Sequence, residues 1–380
     1  CDISDAITGD SLAKQAPFRF GVGLNGGALS TSTSTSKTMR ELIKYQFNSM
    51  TYTNIMKPLF ILDEAGSLKN AENGSEEVAL EFSGIVDGLD FAYKNSIHIR
   101  GHVLVWHKQT PDWFFRKGFD INNEYADADT ILYHLESFIR QYLSFVQFNY
   151  PGVIDVWDVV NEAIEINENC YDNSTGWYTR TMTGDEESLW YNLVGPEYVK
   201  RSFEIARKYA LPNVKLVYND YNTFQVYPHN KTKAIIDLIN ILREEDLVDA
   251  IGMQSYIGNS WPSIEEYGKA IERFMEAGIE IQITELTITP PSVENWIEKQ
   301  AEQYQEVFEN IIEYINKGAN ISSVTVFGLQ DGYRFYSSDN TKTRLFDHDL
   351  QKKPNYYSIM NVLKGYSQIE EETTQNIEIE

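Results

Sequence analysis

Short runs rich in β-branched and aromatic residues alternate eight times with longer stretches of helical period along this chain of 380 residues. The strand-like runs fall at 18–24, 47–53, 98–105, 153–160, 214–218, 250–254, 279–284 and 324–327. Helical periodicity occupies 38–46, 77–95, 127–148, 196–210, 229–246, 263–277, 293–318 and 355–364. Two parallel strands need a crossover long enough to bring the chain back, and a helix is its usual form. Eight such units in succession predict an α/β fold, a single (β/α)8 TIM barrel.

In a barrel of this kind the loops that follow the strands carry the chemistry. Three of them are long, at 57–76, 106–127 and 163–195. Two strand-like runs end in acids: Val153-Ile154-Asp155-Val156-Trp157-Asp158-Val159-Val160-Asn161 leads into Glu162, and Ile279-Glu280-Ile281-Gln282-Ile283-Thr284 leads into Glu285. Cleaving the acetal between two sugars needs one carboxyl group to protonate the departing oxygen and another to attack carbon or activate water. Glu162 and Glu285 are therefore candidate glycosidase acids, although the chain has 56 acidic residues and either could be an ordinary surface acid. In a retaining pair the carboxyl groups lie about 5–5.5 Å apart. Asn161 and Glu162 are adjacent, so strict alternation would point them to opposite faces; they share a cleft only if the strand ends or bulges there.

A formal charge of −24 argues against a nucleic-acid partner, because phosphate binding relies on clustered Lys and Arg. With 42% apolar residues the chain can bury a sizeable core, yet no run approaches the ~20 apolar residues of a membrane span. The 24 Tyr and 7 Trp include rings to spare for the apolar faces of sugars, although most will be core. Two cysteines are too few for a disulfide framework. A chain starting at Cys1, with polar residues over 2–17, resembles a bacterial lipoprotein: a lipid anchor at Cys1, a tether over 1–17, and a place outside the cytoplasm at an outer membrane or cell surface. The catalytic domain is expected over 18–365, as a monomer, followed by an acidic tail over 366–380 that frays. The Ser/Thr run 30–36 reads as a solvated loop and Cys170 as a partly buried free thiol.

No cofactor or metal is expected. His98, His102 and His107 invite a zinc reading, but His107 has the opposite strand parity to the other two, and two carboxylates suffice for the chemistry. Gly21-Val22-Gly23 lacks the third glycine of a dinucleotide loop.

Seven blocks then occur in an informative order. They are Phe47 to Lys57 with Asn54, Arg100-Gly101-His102 running to Trp106 and Gln109, and Trp157 to Ala163. Asn219-Asp220-Tyr221-Asn222, Gly252-Met253-Gln254-Ser255, Thr284-Glu285-Leu286, and Leu345 to Asp349 with Lys353-Pro354 complete the set. In these blocks the chain resembles the family 10 glycoside hydrolases, retaining endo-β-1,4-xylanases built on a (β/α)8 barrel, from about Phe18 to Leu363. The resemblance implies Glu162 as acid/base and Glu285 as nucleophile. It implies that Asn161 binds the 2-hydroxyl of the reacting sugar, that Asn54, Lys57, His102 and Gln109 hold sugars on the non-reducing side, and that Trp106 walls the reacting sugar. Tyr221 and Gln254 fall in matching substrate-binding blocks.

Departures from the family pattern are as informative. Tyr256 stands where the family has a His, and Leu286-Thr287 replaces Leu-Asp after the nucleophile. A neutral imidazole needs a partner to fix its tautomer, whereas a phenol has one O–H and none to fix. Tyr256 is therefore expected to donate directly to Glu285. Thr53 replaces a Glu, and Phe327 and Phe335 replace two Trp residues. The space these changes open suggests decorated xylan or a related β-linked glycan as the polysaccharide or oligosaccharide substrate. The competing readings are an exo-acting glycosidase and a non-catalytic surface barrel that binds polysaccharide; retention of Glu162, Glu285, Asn161 and Gln254 argues against the latter.

Overall fold

The computed structural model describes residues 1–26, 34–181, 186–332 and 342–379. Eight strands close into a parallel barrel in chain order: β1 Arg19–Leu24, β2 Ser49–Tyr52, β3 His98–Trp106, β4 Val156–Asn161, β5 Lys215–Asp220, β6 Ala250–Ile257, β7 Glu280–Ile288 and β8 Ile321–Val326. The described chain divides into two compact units, Tyr52–Gly252 and Cys1–Thr51 with Met253–Glu380.

In the Tyr52–Gly252 unit, every residue of β4 is buried. Such a strand must be apolar throughout or find a partner for each polar group, and Asp158 is its one charged residue. Register sets Trp106 opposite Asn161 on β3 and β4, and Asn161 opposite Asn219 on β4 and β5. Three polar or aromatic side chains thus lie level at the ends of adjacent strands. Gly101 on β3 is needed because a Cβ there would collide with the Trp157 ring. Outside the strands, helix Ala128–Asn149 starts where the Asp127 side chain accepts the Thr130 N–H at 2.8 Å. Its buried residues Ile131, Leu135, Phe138, Tyr142 and Val146 recur at helical spacing. Each buried side chain of this size contributes roughly 1.5–3 kcal/mol.

In the other unit, β1 pairs with β8 from Arg19 opposite Ser323 to Val22 opposite Val326. Helix Ile264–Glu276 opens with a capping box in which Ser263 and Glu266 exchange side-chain bonds to each other's backbone.

Four expectations need correction. Residues 2–17 are folded rather than a tether: Ser4–Ile7 and Leu12–Gln15 form short helices, and Ile3, Ala6 and Leu12 are buried. The Gln46 side chain accepts the Leu12 N–H at 3.1 Å and donates to the Ala6 carbonyl at 2.7 Å, which ties the segment down. The tail is helical too, as Pro354–Ile379 runs on without a break. No Pro or Gly follows Gly365, and the hydroxyls of Thr373 and Thr374 donate back to the carbonyls of Ile369 and Glu370. The helical period read over 77–95 gives a helix only over Val86–Lys94, and the long connection over 57–76 holds helices Pro58–Ile61 and Glu64–Glu72, with a small antiparallel pair between Leu62–Asp63 and Ala79–Leu80. Finally, of the expected Ser/Thr loop over 30–36, residues 30–33 lie outside the described residues, and a helix already begins at Ser34. Among the described residues no helix is long and apolar enough to cross a membrane.

Candidate active site

Glu162 follows the last residue of β4 with φ +55°. A left-handed residue breaks the alternation of the strand, which lets neighbouring side chains converge. For a non-glycine residue it costs roughly 1–3 kcal/mol, so the surroundings must hold it. They do so through several contacts. The Glu162 N–H donates to the Asn219 carbonyl at 2.9 Å, and the Arg180 guanidinium donates to the Glu162 carbonyl at 3.1 Å. The Asn219 amide donates to Asn161 Oδ1 at 2.9 Å, and the Asn161 amide in turn donates to Glu162 Oε2 at 3.0 Å.

The chain just after Glu162 is pinned by a buried phenol. Tyr218 Oη accepts the N–H groups of Ala163 and Ile164, both at 3.1 Å, and donates to Asp220. The other carboxylate oxygen of Asp220 takes Lys231 Nζ and the Tyr221 N–H, both at 2.8 Å. Tyr221 is half-buried, with its hydroxyl accepting from Arg180 at 2.9 Å and Lys231 Nζ 3.8 Å from its ring centre. Arg180 also reaches Glu165 at 3.2 Å and Glu186 at 3.4 Å. Tyr218, Asp220, Lys231 and Arg180 carried no sequence-level signal as supports of the acid.

The sugar-binding candidates of this unit assemble around one ammonium. Lys57 Nζ donates to Asn54 Oδ1 and Gln109 Oε1, both at 2.8 Å, and lies 4.7 Å from the centre of the Trp106 ring. Asn54 is exposed while Lys57 is buried, so the cluster presents its amide outward over a fixed base. Gln109 is itself left-handed, with φ +47°.

His102 is buried with its Nδ1 2.8 Å from Asp158 Oδ2. Arg100 binds the same carboxylate through both terminal nitrogens, at 3.0 and 2.7 Å. Burial pushes the Asp158 carboxyl up, but the Arg100 charge and the His102 hydrogen bond outweigh it and hold it below the ordinary range. An ionised Asp158 can only accept, so the hydrogen of that bond sits on His102 Nδ1. His98 and His107 have carboxylate partners of their own, Asp155 at 3.2 Å and Glu186 at 2.9 Å. Among the described residues no group of three potential ligands is placed to hold a metal ion.

In the second unit, Glu285 lies in β7 with φ +50° and is buried. The β7 and β8 register shifts between Ile283 and Leu286, so one extra residue is inserted at the glutamate. That bulge re-aims the side chain, and the Tyr256 hydroxyl donates to Glu285 Oε1 at 2.7 Å. Gln254, two residues earlier on β6, is buried. Phe327 follows β8 and is half-buried, its ring packed where a Cβ on Gly23 would collide with it. Phe335 lies outside the described residues. Cys170 is a buried free thiol with its sulfur 3.9 Å from the Thr181 hydroxyl.

A parallel eight-stranded barrel that carries one glutamate with an amide donor after β4, and another with a phenol donor in β7, has the equipment of a glycoside-cleaving barrel. The chain matches the model for glycosyl hydrolase family 10 over residues 10–362 and belongs to that family. It is 37% identical over 349 residues to endo-1,4-beta-xylanase B of Butyrivibrio fibrisolvens, an alignment covering 90% of this chain and 51% of that protein. It is 32% identical over 368 residues to endo-1,4-beta-xylanase A of Caldicellulosiruptor saccharolyticus, covering 92% of this chain and 95% of the other. The chain thus spans about half the length of the first relative and nearly all of the second. Among solved structures, it superposes on the CBM22-1–GH10 modules of a Clostridium thermocellum endo-1,4-beta-D-xylanase complexed with xylohexaose. That match has a TM-score of 0.81 and 30% identity, over 92% of this chain and 66% of the other. It also matches native xylanase 10B from Thermotoga maritima, with a TM-score of 0.74 and 27% identity over 95% of this chain and 100% of the other.

Proposed function

We propose that this protein is a retaining endo-β-1,4-xylanase that acts on decorated xylan through a covalent glycosyl-enzyme. Glu162 protonates the departing glycosidic oxygen as a Glu285 oxygen bonds to the anomeric carbon. Glu162, now a carboxylate, then takes a proton from water while the water oxygen displaces Glu285 from that carbon. Overall the glycosidic C–O bond and one O–H bond of water are broken, a C–O bond to the water oxygen and an O–H bond on the departing sugar are formed, and both glutamates return to their starting forms.

The observation that carries this reading is the bond from Tyr256 to Glu285 Oε1. It places a neutral donor on the carboxylate that attacks the anomeric carbon. Asn161 supports the acid through its bond to Glu162 Oε2, and the Lys57 cluster supports sugars on the non-reducing side. Decoration is favoured by the smaller side chains at Thr53 and Phe327, and by Phe335 in the sequence.

Proton NMR of a xylo-oligosaccharide digest tests the reaction. A β-configured first product and mixed oligosaccharide lengths are expected, and an α-configured first product would refute retention. Single-sugar release would make the enzyme exo-acting, and no cleavage across a panel of β-linked glycans would make the barrel a binder. In Glu162→Ala, added azide should restore turnover of an activated aryl glycoside and yield a β-glycosyl azide.

A further inference from the structure

Beyond the end of β8 a buried acid pairs with one of two neighbouring cations. Asp331 is buried, and both of its carboxylate oxygens are occupied: Oδ1 accepts the main-chain N–H of Arg344 at 3.0 Å, and Oδ2 pairs with Lys353 Nζ at 2.8 Å. Lys353 also donates to Gln300 Oε1 at 3.0 Å and to the carbonyls of Lys342 and Arg344, so its ammonium is fully engaged. The guanidinium of Arg344 is different. Among the described residues its only hydrogen-bond partner is the neutral Thr343 hydroxyl, and it forms no ion pair. Asp331 thus pairs with the ammonium of Lys353 and not with the guanidinium of Arg344, in a protein whose formal net charge is −24.

The guanidinium is also a placed group. Arg344 packs against Gly328, two residues past β8, whose φ of +142° and missing Cβ make room for it; any side chain there would overlap Arg344. It is half-buried, and desolvation holds its guanidinium below the ordinary value, the phenol of Tyr304, the Asp331 charge and the phenol of Tyr256 opposing that only in part. Tyr256 is the residue that donates to Glu285, so this unmatched cation belongs to the part of the unit that carries the second glutamate.

We infer that Arg344 is a subsite for a carboxylate carried on the sugar substrate, that is, for a uronic acid unit or side chain on the glycan. A guanidinium presents parallel N–H donors in a plane that matches a carboxylate in bidentate fashion, while neutral hydroxyls would leave its charge unanswered. The inference rests on the proposed glycanase function and narrows its decorated substrate to an acidic one.

The test compares a uronic-acid-substituted xylan with the same polymer after chemical reduction of its carboxyl groups to hydroxymethyl groups. The native enzyme should show a kcat/KM at least tenfold higher on the acidic polymer, and added salt should shrink that preference. In Arg344→Gln the acidic-to-reduced ratio should fall toward unity, and Arg344→Lys should keep part of it. An equal loss on both polymers at an unchanged melting temperature, or an unchanged ratio, would overturn the inference. Binding is read separately by titrating Glu162→Ala, with and without Arg344→Gln, with the acidic and the reduced oligosaccharides. A native-type preference of less than twofold in this titration refutes the subsite even if no turnover is seen, whereas failure of the glycanase reading appears as absence of cleavage on either polymer.

Discussion

The hydroxyl of Tyr256 lies 2.7 Å from Oε1 of Glu285 and donates to it without an intermediary. A hydrogen bond to a charged acceptor contributes about 1.5–3 kcal/mol, which is a factor of about 10–100 in rate if the bond strengthens as the nucleophile is expelled. Tyr256→Phe should therefore lower kcat by that factor while leaving the melting temperature near the native value. Tyr256→His should do no better alone, because Thr287 offers no carboxylate to orient the ring. Adding Thr287→Asp should recover activity, and steady-state kinetics that show no recovery would refute the idea that the two positions act together.

Lys57 holds Asn54 and Gln109 from below and faces the Trp106 ring. Lys57→Met should cut kcat/KM on xylan by about 10–100-fold through loss of charge-assisted bonds. An aryl monoxyloside, which has no sugar beyond the reacting one, should lose much less. Equal losses on polymer and monoxyloside would move Lys57 out of the sugar-binding role.

Asp158 neutralises Arg100 inside the barrel and orients His102. Asp158→Asn should destabilise the fold by about 3–5 kcal/mol, because it strands a buried guanidinium. Urea unfolding of the variant measures this directly, and a loss below 1 kcal/mol would be inconsistent with it.

His107 is held down to about 4 from 6.5, by burial first, with Arg180 adding to the shift and the Glu186 hydrogen bond opposing it. The unfolded chain takes up this proton near 6.5 and the folded chain near 4. The contribution of His107 is thus complete above pH 6.5 and is lost as pH falls toward 4, a change of about 3 kcal/mol. Glu186 is held down to about 2, where burial is outweighed by Lys108 and His107, and it pushes in the same direction at lower pH. Urea unfolding at pH 7 and pH 4.5 should show a smaller drop for His107→Gln than for the native chain.

The barrel was legible because its strands are buried on both faces and its helices are amphipathic, so period alone separates them. Glu162 and Glu285 stood out because each closes an apolar run, and the adjacency of Asn161 and Glu162 already demanded the broken alternation that φ +55° supplies. The pairing of Asp158 with Arg100 was not legible, since pairing across β3 and β4 is a matter of register. Arg180 reaches the Glu162 carbonyl from the long loop after β4, and nothing local marks it. Residues 2–17 read as polar because the few that are buried, such as Ile3 and Leu12, are too sparse to set a period.

Gln46 has a consequence for anyone cloning this protein. Its side-chain oxygen also accepts the Tyr356 hydroxyl at 3.0 Å, so one amide joins the opening helices to the closing one. An expression boundary drawn at Phe18 would remove both the Leu12 and Ala6 partners, uncover that amide and weaken the seam between the helices before Phe18 and helix Pro354–Ile379.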